Sequence, residues 1–243
     1  VTKIIFLMLT YNRLGYTKES IAALLANDFP FHLVIHDNGS TEPGMAEYLV
    51  DLKAQDARIV DVSVSGKNLG LPVPTNAFWD RYAGLYPFMG KVDNDTLIPD
   101  DGVERLVDTL DHCPRVAVCH GYHWREVNFP RKRLVNIDGR LLLKARWGGG
   151  CFYGIRSAVI GRCGYIGTAH GKMGGWTHYQ IKLRRRGWKV VYGYPLIRVK
   201  HLGDPASGRP EENGEYSNYR EEIRRLRRAP YEKDRRPRAS KAV

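Results

Sequence analysis

Two aspartates one residue apart, Asp93 and Asp95, close the run Phe88-Met89-Gly90-Lys91-Val92-Asp93-Asn94-Asp95-Thr96. An apolar run that exits into carboxylates is what a strand of an open α/β sheet presents at its carboxyl end, where such sheets gather their ligand-binding and catalytic groups. Carboxylate oxygens suit Mg²⁺ or Mn²⁺. A divalent cation held by them can neutralise a phosphate leaving group without proton transfer. The Asp-x-Asp spacing is also at home in a turn, where aspartate bonds its own backbone or caps a helix. Its meaning therefore depends on what else the chain brings to that edge.

Three further apolar runs end in the same way. Ile4 to Leu9 leads into Thr10-Tyr11-Asn12-Arg13, and His32 to Ile35 leads through His36 into Asp37-Asn38-Gly39-Ser40-Thr41. Ile59-Val60, with Val62 and Val64, opens into Gly66-Lys67-Asn68-Leu69-Gly70. Between them, Thr17 to Asn27, Met45 to Ala54 and about Thr75 to Ala83 read as helices; Ile21, Leu24 and Leu25 have the spacing of one buried helical face. Continuous apolar strands alternating with helices predict an α/β, Rossmann-like half whose parallel strands are covered on both sides.

In this order the motifs Leu9-Thr10-Tyr11-Asn12-Arg13, Asp37-Asn38-Gly39-Ser40-Thr41, Asn68-Leu69-Gly70 with Asn76, and Val92-Asp93-Asn94-Asp95 resemble those of nucleotide-sugar glycosyltransferases of the GT-A fold, most closely glycosyltransferase family 2. The resemblance covers about the first hundred residues, with weaker echoes to about residue 203. It implies a mostly parallel central sheet flanked by helices, with a smaller acceptor-side sheet. It also implies one catalytic domain over residues 1–205, with a nucleotide-sugar half (1–100) and an acceptor half (101–205). On that pattern Thr10, Tyr11, Arg13 and Asp37 hold the nucleoside, while Lys67, Asn68 and Asn76 lie by the ribose or phosphates. Asp95 binds the metal, and Asp93, beside Asn94, serves the ribose or a metal-bound water. Pro72 and Pro74 depart from the small and basic residues usual before the asparagine.

Pro195 to His201 reads as an apolar-to-basic strand ending in histidine, which several GT-A enzymes use to complete the metal site; an imidazole ligand favours Mn²⁺ over Mg²⁺. Trp147-Gly148-Gly149-Gly150-Cys151-Phe152-Tyr153-Gly154 resembles the glycine-rich acceptor-side strand, with Gly149 and Gly150 admitting a sugar and Trp147 and Trp176 able to stack on it. Near Gly174-Gly175-Trp176-Thr177-His178 the acidic pair usual in the family is missing. A base is still needed for an inverting transfer. His178 or His170 could act, since histidine titrates near neutrality. Asp101 or Asp100 could reach the site, although both also suit the start of a helix from Val103 to Leu110. Alternatively the leaving phosphate could take the proton with retention of configuration.

The remaining composition bounds the setting. A chain of 243 residues suffices for one α/β core with a tail. No apolar stretch approaches the ~20 residues needed to cross a bilayer. Cys113, Cys119, Cys151 and Cys163 form no Cys-x-x-Cys pair, which suits a reducing cytoplasm.

Residues 1–124 carry 10 basic and 16 acidic side chains, whereas residues 125–200 carry 17 and 2. Arg131-Lys132-Arg133 and Arg184-Arg185-Arg186 are the densest points. A positive acceptor half suits an acidic glycan, or a lipid-linked acceptor on an anionic membrane approached peripherally. A basic tail, residues 206–243, includes a short amphipathic helix expected at about 218–228.

The reading is a Mn²⁺- or Mg²⁺-dependent glycosyltransferase using a nucleoside diphosphate sugar, with UDP as the carrier that the family resemblance alone favours. The competing reading is a non-catalytic polyanion-binding module of the same fold, in which aromatic faces and arginines would hold a glycan or nucleic acid. Asp93, Asp95 and His201 have no chemical use in such a module, which disfavours nucleic acid as a partner. Nucleotidyl transfer is weaker still, because no glycine-rich phosphate loop follows the first strand.

Overall fold

The fold is known from a computed structural model that describes residues 2–123, 133–167 and 174–203. Its first half alternates β1 (Ile4–Thr10), α1 (Leu14–Leu25), β2 (Phe31–Asp37), α2 (Met45–Gln55), β3 (Ile59–Val64), α3 (Pro72–Tyr82) and β4 (Phe88–Asp93). Then follow β5 (Thr96–Leu97), α4 (Gly102–His112), β6 (Val116–His120), β7 (Leu134–Ile137), β8 (Arg140–Lys144) and β9 (Phe152–Arg156). The last described elements are α5 (Ser157–Cys163), α6 (Gly174–Arg185), β10 (Lys189–Tyr192) and β11 (Lys200–His201).

Nine strands form one sheet in the order β3-β2-β1-β4-β9-β6-β10-β8-β7. The pairs β1·β2, β2·β3, β1·β4 and β6·β10 are parallel. β9 runs against both β4 and β6, and β8 against both β10 and β7, so only these two strands oppose the common direction. Both faces of the sheet are packed. Ile4, Phe6 and Met8 of β1 enter one apolar layer, with Ile21, Leu24, Leu106 and Leu110. Ile5 and Leu7 enter the other, with Phe78, Trp79 and Tyr179. Burial on both faces explains why β1 and β2 read as continuous apolar runs rather than alternating ones.

Register then decides what meets at the carboxyl edge. β1 pairs Thr10 with Asp37 on one side and Leu9 with Asp93 on the other, so the first, second and fourth runs do converge. The smaller sheet is the two-residue ladder of β5 and β11, which pairs His201 with Thr96 and Lys200 with Leu97.

Two expected strands are shorter than read. Ile197 and Val199 are buried while Arg198 and Lys200 are exposed, which is strand-like alternation, yet the segment before β11 pairs only through a bridge between Arg198 and Tyr122. The glycine-rich run enters the sheet only at Phe152; residues 147–151 form a loop across its edge. His170, Trp124, Arg131, Lys132 and the tail with its expected helix at 218–228 lie outside the described residues.

Candidate functional site

Asp93 ends β4, Asn94 and Asp95 form the turn, and Thr96 starts β5. The ladder between β5 and β11 then carries His201 back to Asp95, fastened by the Leu202 N–H donating to the Asp95 carbonyl at 2.7 Å. One ligand atom from each of Asp93, Asp95 and His201 lies within 4.8 Å of the others. His201 Nε2 is 3.3 Å from Asp95 Oδ1. Two carboxylates and an imidazole at this separation fit a hard to borderline divalent cation, and the nitrogen donor suits Mn²⁺ better than Mg²⁺.

Two cations close the cluster from behind. The Arg13 Nη1 donates to Asp95 Oδ2 at 2.7 Å, with both side chains under a tenth exposed. Lys91, pointing from β4 into the protein, contacts Asp93 Oδ1 and lies 3.3 Å from the Gly150 carbonyl. Burial pushes its ammonium down to about 8, against the pull of Cys151 and Asp95. Neither Lys91 nor the Arg13–Asp95 pair stands out in the sequence. Lys91 sits in an apolar run, and Arg13 belongs to a loop motif otherwise assigned to the nucleoside.

The adjoining loops are tied to one another by their own polar side chains. Thr10 Oγ1 donates to Asp37 Oδ1 at 2.8 Å, and the Ser40 N–H donates to Asp37 Oδ2 at 2.9 Å. Asn68 Oδ1 accepts from Asn38 Nδ2 and from its own downstream Gly70 N–H. Asn94 Nδ2 donates to the Asn12 carbonyl and to Thr17 Oγ1. Asn76 bonds both backbone groups of Ile166, latching α3 to the loop after α5. Tyr11 is half-buried and Lys67 exposed in the same group of loops.

On the far side, the Gly148–Gly150 loop rests on histidines. A Cβ at Gly148 would lie 2.2 Å from the His120 ring, and one at Gly149 would lie 2.4 Å from the His123 ring, so neither position has room for a side chain. His123, unremarked in the sequence, has its ring centroid 6.5 Å from that of His201, and its Nδ1 is 3.5 Å from Cys151 Sγ. The loop is fastened from beneath by Gln180 of α6. Its Oε1 accepts from the Gly148 N–H at 2.7 Å, and its Nε2 donates to the Gly148 carbonyl at 3.1 Å. That pairing fixes the amide's orientation, so the His120 Nε2 that approaches Oε1 at 3.0 Å must carry the proton.

Trp147 is 41% exposed at the loop's outer end, with the Arg146 guanidinium 4.9 Å from its ring centroid. Trp176 instead lies in the core, stacked on Tyr153 at 4.1 Å, with its Cδ1 3.7 Å from where a Cβ at Gly150 would sit. His178 is exposed, because Trp176, Tyr179 and Gln180 take the inward face of α6. Asp101 precedes α4, with Arg105 on its carboxylate at 3.3 Å.

His120 gives the fold a pH dependence. Burial lowers its pKa from 6.5 to about 4, with Gln180 and the Gly149 backbone pulling the other way. Between those values the unfolded chain binds the proton and the folded chain does not, so stability falls as pH drops from about 6.5 towards 4. The loss should approach about 3 kcal/mol at 1.36 kcal/mol per unit. Urea midpoints from pH 7 to 4.5 should show a steeper decline in the native chain than in His120→Gln, which lacks this titration. Parallel declines would show that His120 does not set the slope.

Residues 5–168 match the family described as Glycosyl transferase family 2, about two-thirds of the chain. The chain belongs to glycosyltransferase family 2. Among solved structures this family 2 chain is similar to mannosyltransferase PcManGT from Pyrobaculum calidifontis in complex with GDP-Man and Mn²⁺, with 14% identity and a TM-score of 0.69. That match covers 91% of this chain and 64% of the other. It is also similar to S. aureus TarS 1-349 in complex with UDP-GlcNAc, with 16% identity, a TM-score of 0.61 and coverage of 82% and 58%. The family 2 chain thus spans less than two-thirds of either neighbour, and at such identity the likeness shows the GT-A fold. No curated protein matches the sequence. No helix among the described residues is long and apolar enough to cross a membrane.

Proposed function

We propose that this chain is a divalent-metal-dependent glycosyltransferase that moves a sugar from a nucleoside diphosphate donor to a hydroxyl acceptor. The observation that carries the reading is the gathering of Asp93, Asp95 and His201 within 4.8 Å at the sheet edge where Thr10 and Asp37 also end. The neighbours named above, in complex with GDP-Man and Mn²⁺ or with UDP-GlcNAc, support a nucleotide-sugar donor here.

When bound, the cation would supply charge neutralisation for the departing diphosphate, held by Asp93, Asp95 and His201. The chain's own groups divide the remaining work. The Thr10, Tyr11 and Asp37 loops form the nucleoside side, with Asn68 and Asn94 keeping those loops in register, Asn76 holding α3 to the loop after α5 and Lys67 beside them. The Gly148–Gly150 loop, anchored on Gln180, forms the acceptor side, and Trp147 with Arg146 offers an exposed aromatic face at its rim. His178, His170 and Asp101 remain the candidate bases, with proton transfer to the leaving phosphate as the retaining alternative. The exposed Arg133, Lys144, Arg146, Arg185 and Arg186 favour an acidic glycan or a lipid-linked acceptor at an anionic surface.

Calorimetric titration of the chain with UDP and with GDP, each with and without Mn²⁺, tests the reading. One nucleotide should bind only when Mn²⁺ is present. Failure of both to bind, together with tight binding of an acidic glycan, would replace the enzyme with a polyanion-binding module.

A further inference from the structure

The proposed cation site contains a cation of its own. Asp93 and Asp95 face Lys91 and Arg13, so the formal charge of these four groups is zero. The two basic residues are not equivalent. Lys91 sits within β4 and also bonds the Gly150 loop, so its place is set by the sheet. Arg13 stands at the start of α1 in a left-handed conformation, φ 65°, directly after Asn12 at φ 53°. Two successive non-glycine residues at positive φ are costly and persist only where surrounding contacts impose them.

Here those contacts belong to Asn12. Its N–H donates to Ser40 Oγ, its Oδ1 accepts from the Thr41 and Glu42 N–H groups, and its carbonyl accepts from Asn94. The clamp points the Arg13 side chain across Tyr16 onto Asp95. Gly203 leaves the space for it, since a Cβ there would lie 2.7 Å from Asp95 Oδ2 and 2.9 Å from Arg13 Nη1.

We propose that Arg13 is a resident counter-ion that yields Asp95 to the divalent cation and passes to the donor's diphosphate, making cation and diphosphate bind with positive coupling. This inference rests on the reading of Asp93, Asp95 and His201 as the cation site. With Arg13 in place, Asp95 Oδ2 is occupied, and an incoming divalent cation meets a guanidinium held in a buried setting where like charges repel strongly. A diphosphate relieves both difficulties, because the planar guanidinium fork matches phosphate oxygens in paired hydrogen bonds. Linkage then requires each ligand to tighten the other by the same factor.

The test measures free Mn²⁺ by electron paramagnetic resonance in titrations of the full chain, Arg13→Gln, Arg13→Lys and Asp95→Asn. Each is titrated alone and with inorganic pyrophosphate, correcting for Mn²⁺ bound to pyrophosphate. The native chain should bind Mn²⁺ weakly alone and at least about tenfold more tightly with pyrophosphate, within the usual range of coupling. Arg13→Gln should bind Mn²⁺ alone more tightly than the native chain and lose most of the pyrophosphate enhancement. Arg13→Lys, which keeps the charge without the fork, should fall between them and supplies the same comparison if the glutamine variant does not fold.

Unchanged or weaker Mn²⁺ binding by Arg13→Gln with full enhancement, while Asp95→Asn loses Mn²⁺, overturns the counter-ion role alone. Mn²⁺ binding that survives Asp95→Asn unaltered, or is absent from the native chain under both conditions, overturns the cation reading and this inference with it.

Discussion

Asp95→Asn is expected to lower donor turnover by about three orders of magnitude while the chain stays folded. A cation bound at a leaving diphosphate contributes several kcal/mol of charge stabilisation, and each 1.36 kcal/mol is tenfold in rate. Asparagine keeps the size of the side chain and an oxygen for the Arg13 guanidinium, but it surrenders the charge that holds the cation. Alanine is the poorer choice. Asp95 and Arg13 are each under a tenth exposed, and removing one partner of a buried pair costs about 3–5 kcal/mol, a cost that asparagine reduces by still accepting from the guanidinium and that alanine does not. The assay is release of the nucleoside diphosphate from its sugar donor, read beside circular dichroism. A folded Asp95→Asn that retains a third or more of native turnover would remove Asp95 from the cation site.

That site was partly legible in the sequence because parallel strands announce themselves. β1, β2, β3 and β4 read as apolar runs ending in polar residues, and their register then made the shared edge inevitable. The Gly148–Gly150 side was less legible for two physical reasons. First, its partners are brought together by strand order rather than by spacing: His120 and Gln180 are 60 residues apart and Gly148 and Gln180 are 32 apart. Nothing local marks either side chain as buried. Second, a residue type alone does not reveal its facing. Trp176 and His178 are two positions apart on α6, which turns one into the core and the other to solvent.

The hairpin of β7 and β8 carries a local sequence signature as well. Asp138-Gly139 joins β7 to β8 with both residues at positive φ, 52° and 83°. An Asp-Gly pair between apolar segments is a strong short-range hairpin signal.

Gln180→Leu is the second large effect to expect, a loss of about 4 kcal/mol of stability. Leucine fills most of the space but strands three groups in a site closed to water: the Gly148 N–H, the Gly148 carbonyl and the His120 Nε2–H. Gln180 and His120 have no exposed surface. Each buried group left without a partner costs about 1–3 kcal/mol, and leucine's own burial recovers part of the total. At about 2–4 °C per kcal/mol for a chain of this size, the melting temperature should fall by about 10 °C. Metal-dependent nucleotide binding should survive at temperatures where the variant is folded, because Gln180 touches none of Asp93, Asp95 or His201 and holds the loop on the other side of Lys91. A melting temperature within about 2 °C of native would mean that the loop finds other partners. Loss of nucleotide binding in the folded variant would mean that the Gly150 carbonyl and Lys91 transmit the loop's position to Asp93, making one unit of what is described above as two sides.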